Sequence, residues 1–449
     1  MQYPTTQSLF VFITALFLSP LAVTAEPPST RTDPAIEAEI LRRTKLDFNL
    51  TPDQVLKQLQ ENIADATAAD VKHWSNSGEL LNRTFDGEIF YFHNAVPNLF
   101  RVSAEARKRR THEPPAKKKF DLNGLVQRLV EESANSDTPE IHPVRHRVKY
   151  SLSVKDGHPL VKPDAIFKAW LPFPQEYRQQ HDVRLLSTNP LGGRVASADA
   201  PQRSIYFEQK IGDDAKAPRF EAEFEFTTSA YCPRLDPAAV KPYDESSPFY
   251  KEFTAERAPH ILITPEVRKL ASEIIGSETN PLNKALLIFR WVSKNLPWVS
   301  EMEYCTISSL SAKGLKARCG DCGVQSLTFI TLCRAAGIPA RWQSGFGTKP
   351  GEENMHDWSE FYTEPYGWLP ADASYGVREH GDPRVRDFFC GHMDPYRLIV
   401  NLDYGRELEP PKQSFRSEPT DFQRGEVEID GQNLYFNEWD WKIEVTTAD

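Results

Sequence analysis

The sequence predicts an α+β fold, and three observations carry the prediction. Apolar residues recur every three to four positions before residue 141. From about 142 they alternate with polar ones, and after 260 helical spacing returns before giving way to short strands. Helices and strands kept apart in this way describe segregated layers, not an alternating parallel α/β sheet. At 449 residues the chain has room for about three domains. We read 1–25 as a signal peptide and 26–141 as a helical N-terminal region with a basic linker. Residues 142–259 read as a β-sandwich-like domain, 260–395 as the unit of helices followed by strands that carries the candidate catalytic residues, and 396–449 as a β-rich C-terminal extension.

The leader comes first. Leu9 to Val23 is apolar, and fifteen residues are short for a spanning helix, which needs about 20. Val23-Thr24-Ala25 offers small residues for cleavage near Ala25, although no Lys or Arg precedes Arg31 to form the usual positive start. The leader implies a secreted or periplasmic protein with no stable membrane span after cleavage. Beyond it, Thr32-Asp33-Pro34 opens a helix with Ile36, Ile40 and Leu41 on one face. Thr51-Pro52 opens another with Val55, Leu56, Leu59 and Ile63. Both are cap-then-proline starts. Arg107-Lys108-Arg109-Arg110 and Lys117-Lys118-Lys119, split by Pro114-Pro115, read as a solvated linker.

The period then changes. Val148, Tyr150, Leu152 and Val154 alternate with polar residues, as do Phe220, Ala222, Phe224 and Phe226, which is the signature of half-buried antiparallel strands. After 260, Thr264-Pro265 starts a helix stopped by Gly276, and Asn280-Pro281 starts a second. A third runs over 322–336 and ends at Gly337-Ile338-Pro339. Strand-like segments follow at 340–346, 356–363 and 367–371.

Composition narrows the function. With 53 basic and 63 acidic residues the net charge is -10, which argues against a nucleic-acid partner. A mean hydropathy of -0.52 with one apolar run excludes a polytopic membrane protein. Six cysteines in 449 residues are too sparse for a disulfide scaffold. A bridge from Cys319 to Cys305 or Cys390 stays open.

Cys322 stands at the start of its helix, where free N–H groups and the helix dipole favour thiolate and a backbone N–H can serve an oxyanion. His356 lies in Met355-His356-Asp357-Trp358, and Asp372 follows it by 16 residues. That distance holds a strand, a turn at Glu364-Pro365-Tyr366-Gly367 and a return strand. A hairpin would set His356 beside Asp372, against the N-terminus of the Cys322 helix. Thiol, imidazole and carboxylate in that order are the parts of a cysteine nucleophile triad. Cys319 and Cys322 also form a Cys-x-x-Cys pair. Zinc would need a second short pair, and a thioredoxin-like site would need a preceding βαβ unit; the sequence offers neither.

Three blocks together resemble the transglutaminase-like superfamily, papain-like in architecture and of the bacterial exported type. They are Gly320-Asp321-Cys322 running into Leu332-Cys333-Arg334-Ala335-Ala336-Gly337-Ile338-Pro339-Ala340-Arg341; His356-Asp357-Trp358-Ser359-Glu360; and Gly367-Trp368 leading to Asp372. The resemblance covers about 280–375. More loosely, the β-domain and Asp394-Pro395-Tyr396-Arg397 look like the exported members. The resemblance implies a papain/transglutaminase-like catalytic core over 260–395. It selects Cys322 over Cys319, since the family nucleophile stands twelve residues before the arginine that matches Arg334. Ser326 departs from the family's usual alanine. Trp291 and Trp298 lie upstream of the nucleophile, where some members use a tryptophan for oxyanion support; Trp298 is the better candidate of the two, though packing is the commoner use of such a residue.

The expected function is cysteine-dependent acyl transfer on peptide or cell-envelope amides, by hydrolysis or amine transfer, through Cys322, His356 and Asp372. No cofactor and no metal are expected, and no EF-hand loop calls for calcium. The alternative is a non-catalytic binding or scaffold protein on the same fold, against which the intact Cys-His-Asp set counts.

Overall fold

The computed structural model describes residues 33–112 and 120–448. The expected signal peptide and the Lys117-Lys118-Lys119 part of the basic stretch lie outside the described residues.

Asp33 caps α1 (Pro34–Asp47), accepting the Ala35 N–H at 2.8 Å, with Pro34 in the first turn where its missing N–H costs nothing. The apolar face expected of α1 is not the one it buries. Leu41 is exposed, whereas Arg43, Thr44 and Asp47 are buried. The reason is the surface α1 meets, a loop of free carbonyls. Arg43 Nη1 donates to the Arg416 and Ser417 carbonyls at 2.8 and 3.0 Å, and its guanidinium stacks on Phe415 and Tyr435.

β1 (Phe48–Leu50) leads to α2 (Pro52–Gln60), where Thr51 and Gln54 close a capping box. α3 (Ala68–Asn76), β2 (Asn82–Phe85), β3 (Glu88–Phe92), α4 (Ala95–Val102), α5 (Ala104–Arg109) and α6 (Leu122–Ala134) complete the region. Its three strands form a small antiparallel sheet, ordered β1-β3-β2, that a purely helical reading misses. Strands this short hold too few positions to display a period. The first half of the basic stretch is also not a free linker. Arg109 pairs with Asp70 at 2.5 Å, and Arg110 donates to Asn62 Oδ1 at 3.0 Å.

β4 (Glu140–Val154), β5 (Ile166–Pro172), β6 (Gln180–Asn189), β7 (Arg194–Val195), β8 (Ser204–Lys210) and β9 (Arg219–Tyr231) build two antiparallel sheets. α7 (Pro248–Thr254), α8 (Pro265–Ile275), α9 (Pro281–Asn295), α10 (Leu310–Ala317) and α11 (Cys322–Ala335) follow. Then come β10 (Ala340–Gly347), β11 (Asn354–Thr363), β12 (Gly367–Ala371), α12 (Pro383–Arg386) and β13 (Arg397–Asn401). The fourth sheet is antiparallel, ordered β12-β11-β10-β13, and α11 packs on it.

The last strands correct the expectation of a separate C-terminal extension. β14 (Glu426–Ile429) pairs with β5 and with β15 (Gln432–Leu434), while β16 (Trp439–Ala448) pairs with β4 along its whole length. The sandwich is therefore closed by strands from both sides of the α11 unit. Its sheets share one core, in which Tyr150 and Leu152 of β4 and Phe224 of β9 meet Phe167 of β5, Phe207 of β8 and Val427 of β14. Phe346 of β10 and Leu398 of β13 belong to the same core, which joins the sandwich to the fourth sheet. Among the described residues no disulfide forms, and no helix is long and apolar enough to cross a membrane.

Asp47 reports on how the N-terminal region docks. Its Oδ2 accepts the Glu303 N–H at 3.0 Å, and burial, with Glu303 nearby, pushes its carboxyl up to about 7. A carboxyl raised in the folded state opposes folding increasingly as pH climbs from its unfolded value toward the folded one. Asp47→Asn keeps the acceptor and removes the charge. We expect no gain near pH ~4 and a stabilisation of at most on the order of 4 kcal/mol above pH ~7, read by denaturant titration at both pH values.

Candidate active site

Asp321 is the N-cap of α11; its Oδ1 accepts the Val324 N–H at 3.1 Å and places Cys322 in the first turn. From Gly323 to Arg334 the helix is buried on every side, so its start cannot shift without repacking the core. Ser326, the departure from the family pattern, presents its carbonyl to Ser359 Oγ at 3.2 Å and ties α11 to β11. Gly323 has to be glycine, because a Cβ would stand 2.2 Å from Tyr304 Oη.

β11 and β12 form the expected hairpin, with Ser359 opposite Ala371 and Thr363 opposite Gly367. His356 Nε2 and Asp372 Oδ2 are 2.7 Å apart, both side chains buried. Asp372 is held from all sides. Its Oδ1 accepts from Ser374 N, Ser374 Oγ and Tyr375 N at 3.1, 2.8 and 3.1 Å, and its Oδ2 also takes Arg397 Nη1 at 2.8 Å. Burial alone would raise this carboxyl. Its interaction with His356 and the charge and hydrogen bond of Arg397 overcome it and hold Asp372 far below the usual range. Arg397 is paired in turn with Asp394 at 2.8 Å, and Tyr375 lies between, stacked on the His356 ring at 4.8 Å and 4.3 Å beneath the guanidinium. Burial, opposed by Asp372 and assisted by Arg397, lowers His356, so its imidazole is neutral at neutral pH. With Nε2 on Asp372, Nδ1 is the nitrogen left to exchange a proton.

Cys322 departs from expectation. It is half-buried, and its Sγ donates to Asp357 Oδ2 at 3.3 Å, one residue along from His356. Burial comes first, then the Asp357 and Asp321 carboxyls, and together they push the thiol up rather than down. The helix-start effect on which the thiolate expectation rested is the smaller one here. A helix dipole contributes about half a charge at a terminus, which does not offset the burial of the thiol and the two carboxyls lining the same cavity.

That cavity, of about 310 Å³, is lined by Cys322, Tyr304, Trp298, Asn354 and Met355 among others. Trp298 is 37% exposed and lies under Arg101 at 4.5 Å, so it walls the cavity and is clamped by the N-terminal region. Asn98 exchanges two hydrogen bonds of 2.8 Å with the backbone of Ser300 and holds the same wall. Sequence reasoning missed Tyr304, Tyr375 and Asp421, and it named Asp357 and Arg397 only within resembling stretches, without a role. Asp357 was visible beside His356, but neighbours on a strand are expected on opposite faces. Among the described residues, no group of three or more His, Cys, Asp or Glu side chains gathers as a metal site.

Comparison with known proteins bears on this segment. Residues 268–373 match the sequence profile of the transglutaminase-like superfamily, and this part of the chain is a transglutaminase-like domain. An uncharacterised protein of Haemophilus influenzae is 34% identical over 142 residues; the match covers 26% of this chain and 38% of that protein. Among solved structures, a candidate cysteine protease from Cytophaga hutchinsonii aligns with a TM-score of 0.47 at 16% identity, covering 69% of this chain and 92% of its own. The periplasmic domain of TgpA from Pseudomonas aeruginosa aligns with a TM-score of 0.27 at 13% identity, over 59% of this chain and 95% of its own.

The Asp372 environment yields a prediction. Arg397→Gln removes the cation that shares Oδ2 with His356 and leaves the buried Asp394 without its pair. The His356 pKa should rise, read by NMR titration of the ring, because the carboxylate then serves the imidazolium alone. Stability should fall by about 3–5 kcal/mol in denaturant titration.

Proposed function

We propose that this chain is an exported, cysteine-dependent acyl-transfer enzyme acting on amide bonds of peptides or cell-envelope material. The observation that carries the reading is a 2.7 Å His356–Asp372 hydrogen bond on a hairpin packed against the helix that begins with Cys322. In the proposed reaction His356 takes the thiol proton at Nδ1, and Sγ attacks the amide carbonyl. The imidazolium then gives its proton to the leaving nitrogen as the C–N bond breaks. Asp372 keeps Nε2–H in place and stabilises the imidazolium. Water or an amine releases the acyl group. Hydrolysis is the favoured outcome, since it asks for no second binding site.

Export rests on the apolar leader ending at Ala25, and the substrate class on the thiol chemistry. A scaffold would have no use for a histidine held by a five-coordinate buried carboxylate.

Substitutions separate the roles. Cys322→Ala should abolish covalent adduct formation with an electrophilic peptide probe, read by intact mass. His356→Ala should cut turnover about 10²–10⁴-fold, because the leaving amine loses its proton donor. Asp372→Asn should be milder, keeping the shape and weakening the alignment. Cys319→Ser should label like the wild type. Loss of labelling in Cys319→Ser with labelling retained in Cys322→Ser would move the nucleophile to Cys319 and overturn the assignment.

A further inference from the structure

The thiol is touched by a carboxyl that the proposed reaction does not use. Asp357 is 2% exposed, and its Oδ2 lies 3.3 Å from Cys322 Sγ and 2.9 Å from Tyr304 Oη. Its Oδ1 accepts the Gln423 amide at 2.8 Å. Asp421, 3% exposed, is brought beside it by Ser344, which lies opposite Asp357 in the β10–β11 ladder and bonds Asp421 through its hydroxyl. Asp421 Oδ1 is occupied by Ser344 Oγ at 2.5 Å, Asn401 Nδ2 at 3.0 Å and Phe422 N at 2.8 Å. Asp421 Oδ2 meets no N–H or O–H donor at all. On the other side, Tyr304 Oη is 2.7 Å from Asp321 Oδ2 and already accepts the Gly323 N–H at 3.2 Å.

Counting protons settles the state of this chain of groups. Tyr304 has one hydroxyl proton and two carboxyl neighbours, so it can donate to only one of them. Asp357 and Asp421 face each other with no donor between them. Two buried carboxyls in contact cannot both be ionised, and one proton shared between them removes the conflict. The surrounding cations do not reach Asp357. Lys313 is paired with Glu301 near Asp321, Arg424 is paired with Glu303 with Glu418 close by, and Arg416 bonds Gln202 and backbone carbonyls near Asp421.

We propose that Asp357, kept un-ionised by Asp421, is a further catalytic residue: its O–H hydrogen bonds to the Cys322 sulfur once His356 has taken the thiol proton, so the site works only while the carboxyl pair keeps its shared proton. The step balances simply. The S–H bond breaks, its proton moves to His356 Nδ1, and the carboxyl O–H stays intact and turns toward sulfur. When the pair loses its proton, an ionised Asp357 faces the sulfur at 3.3 Å, and the thiol must keep its hydrogen to donate to it. An ordinary thiol becomes more reactive as pH rises through about 8.5. This one should become less reactive when the carboxyl pair ionises.

The proposal rests on Cys322 being the nucleophile, and its test is the pH profile of iodoacetamide alkylation at Cys322 in the full chain, read by peptide mass spectrometry. In the wild type the rate should rise and then fall on the alkaline side. Asp357→Asn cannot ionise, so its profile should climb like that of a model thiol and exceed the wild type by about tenfold or more at pH ~9. Asp421→Asn presents an N–H to Asp357 in place of the unpartnered oxygen and lets it ionise earlier, so the falling limb should move about one unit or more toward acid. A wild-type rate that rises without a fall, or a falling limb that neither variant moves, overturns the proposal. If Asp357→Asn lacks the native near-UV circular dichroism, the wild-type profile and Asp421→Asn decide the matter. Failure of the nucleophile assignment reads differently: Cys322 is then not modified in any variant at any pH.

Discussion

A carboxylate buried as fully as Asp372 stays ionised only if the protein supplies what water would have supplied. Three donors on Oδ1 and two on Oδ2 do so, and they come from three different pieces of the fold. His356 arrives on β11, Ser374 and Tyr375 on the turn after β12, and Arg397 at the head of β13. Arg397 is itself buried and needs Asp394, which the preceding loop provides. The hairpin, the loop and the strand beyond it are therefore locked in one arrangement by a single charge. The orientation of the His356 ring follows from that arrangement.

The other end of the site is held from outside the transglutaminase-like segment. Residues 298–304 wall the cavity, and the N-terminal region grips them through Asn98, Arg101 and Asp47. The sandwich enters through Tyr177 and Arg178, which bond Glu360 on β11 alongside Arg341. Glu360 is wholly buried, and these partners hold it below its ordinary range despite the burial. The domains around the core are thus part of how its strands are positioned.

The two halves of the site have opposite electrostatics. Around Asp372 a cation accompanies the carboxylate and keeps it charged. Around Cys322 the carboxyls Asp321, Asp357 and Asp421 cluster without a cation in hydrogen-bond contact with Asp357, and each is raised by burial. A neutral thiol and a neutral imidazole are the resting state this combination favours.

Much of this was legible in the chain itself. Cap-then-proline starts at Asp33, Thr51, Thr264 and Asn280 mark helix N-termini because caps and N1 prolines act through the nearest backbone groups, and all four open helices. The Cys322 helix and the β11–β12 hairpin were legible for the same reason, since short spacing and turn chemistry are local. What tertiary structure decided is everything that depends on which surfaces meet. α1 buries Arg43 because a loop of carbonyls from the far end of the chain lies on it. The C-terminal strands complete the sandwich through partners almost three hundred residues away, as Thr446 opposite Arg147 shows. Cys322 bonds Asp357 because Tyr304 from one distant segment and Asp421 and Gln423 from another converge there. Periodicity and caps record a residue's neighbours in sequence. The burial and charge that set the state of the thiol come from neighbours in space.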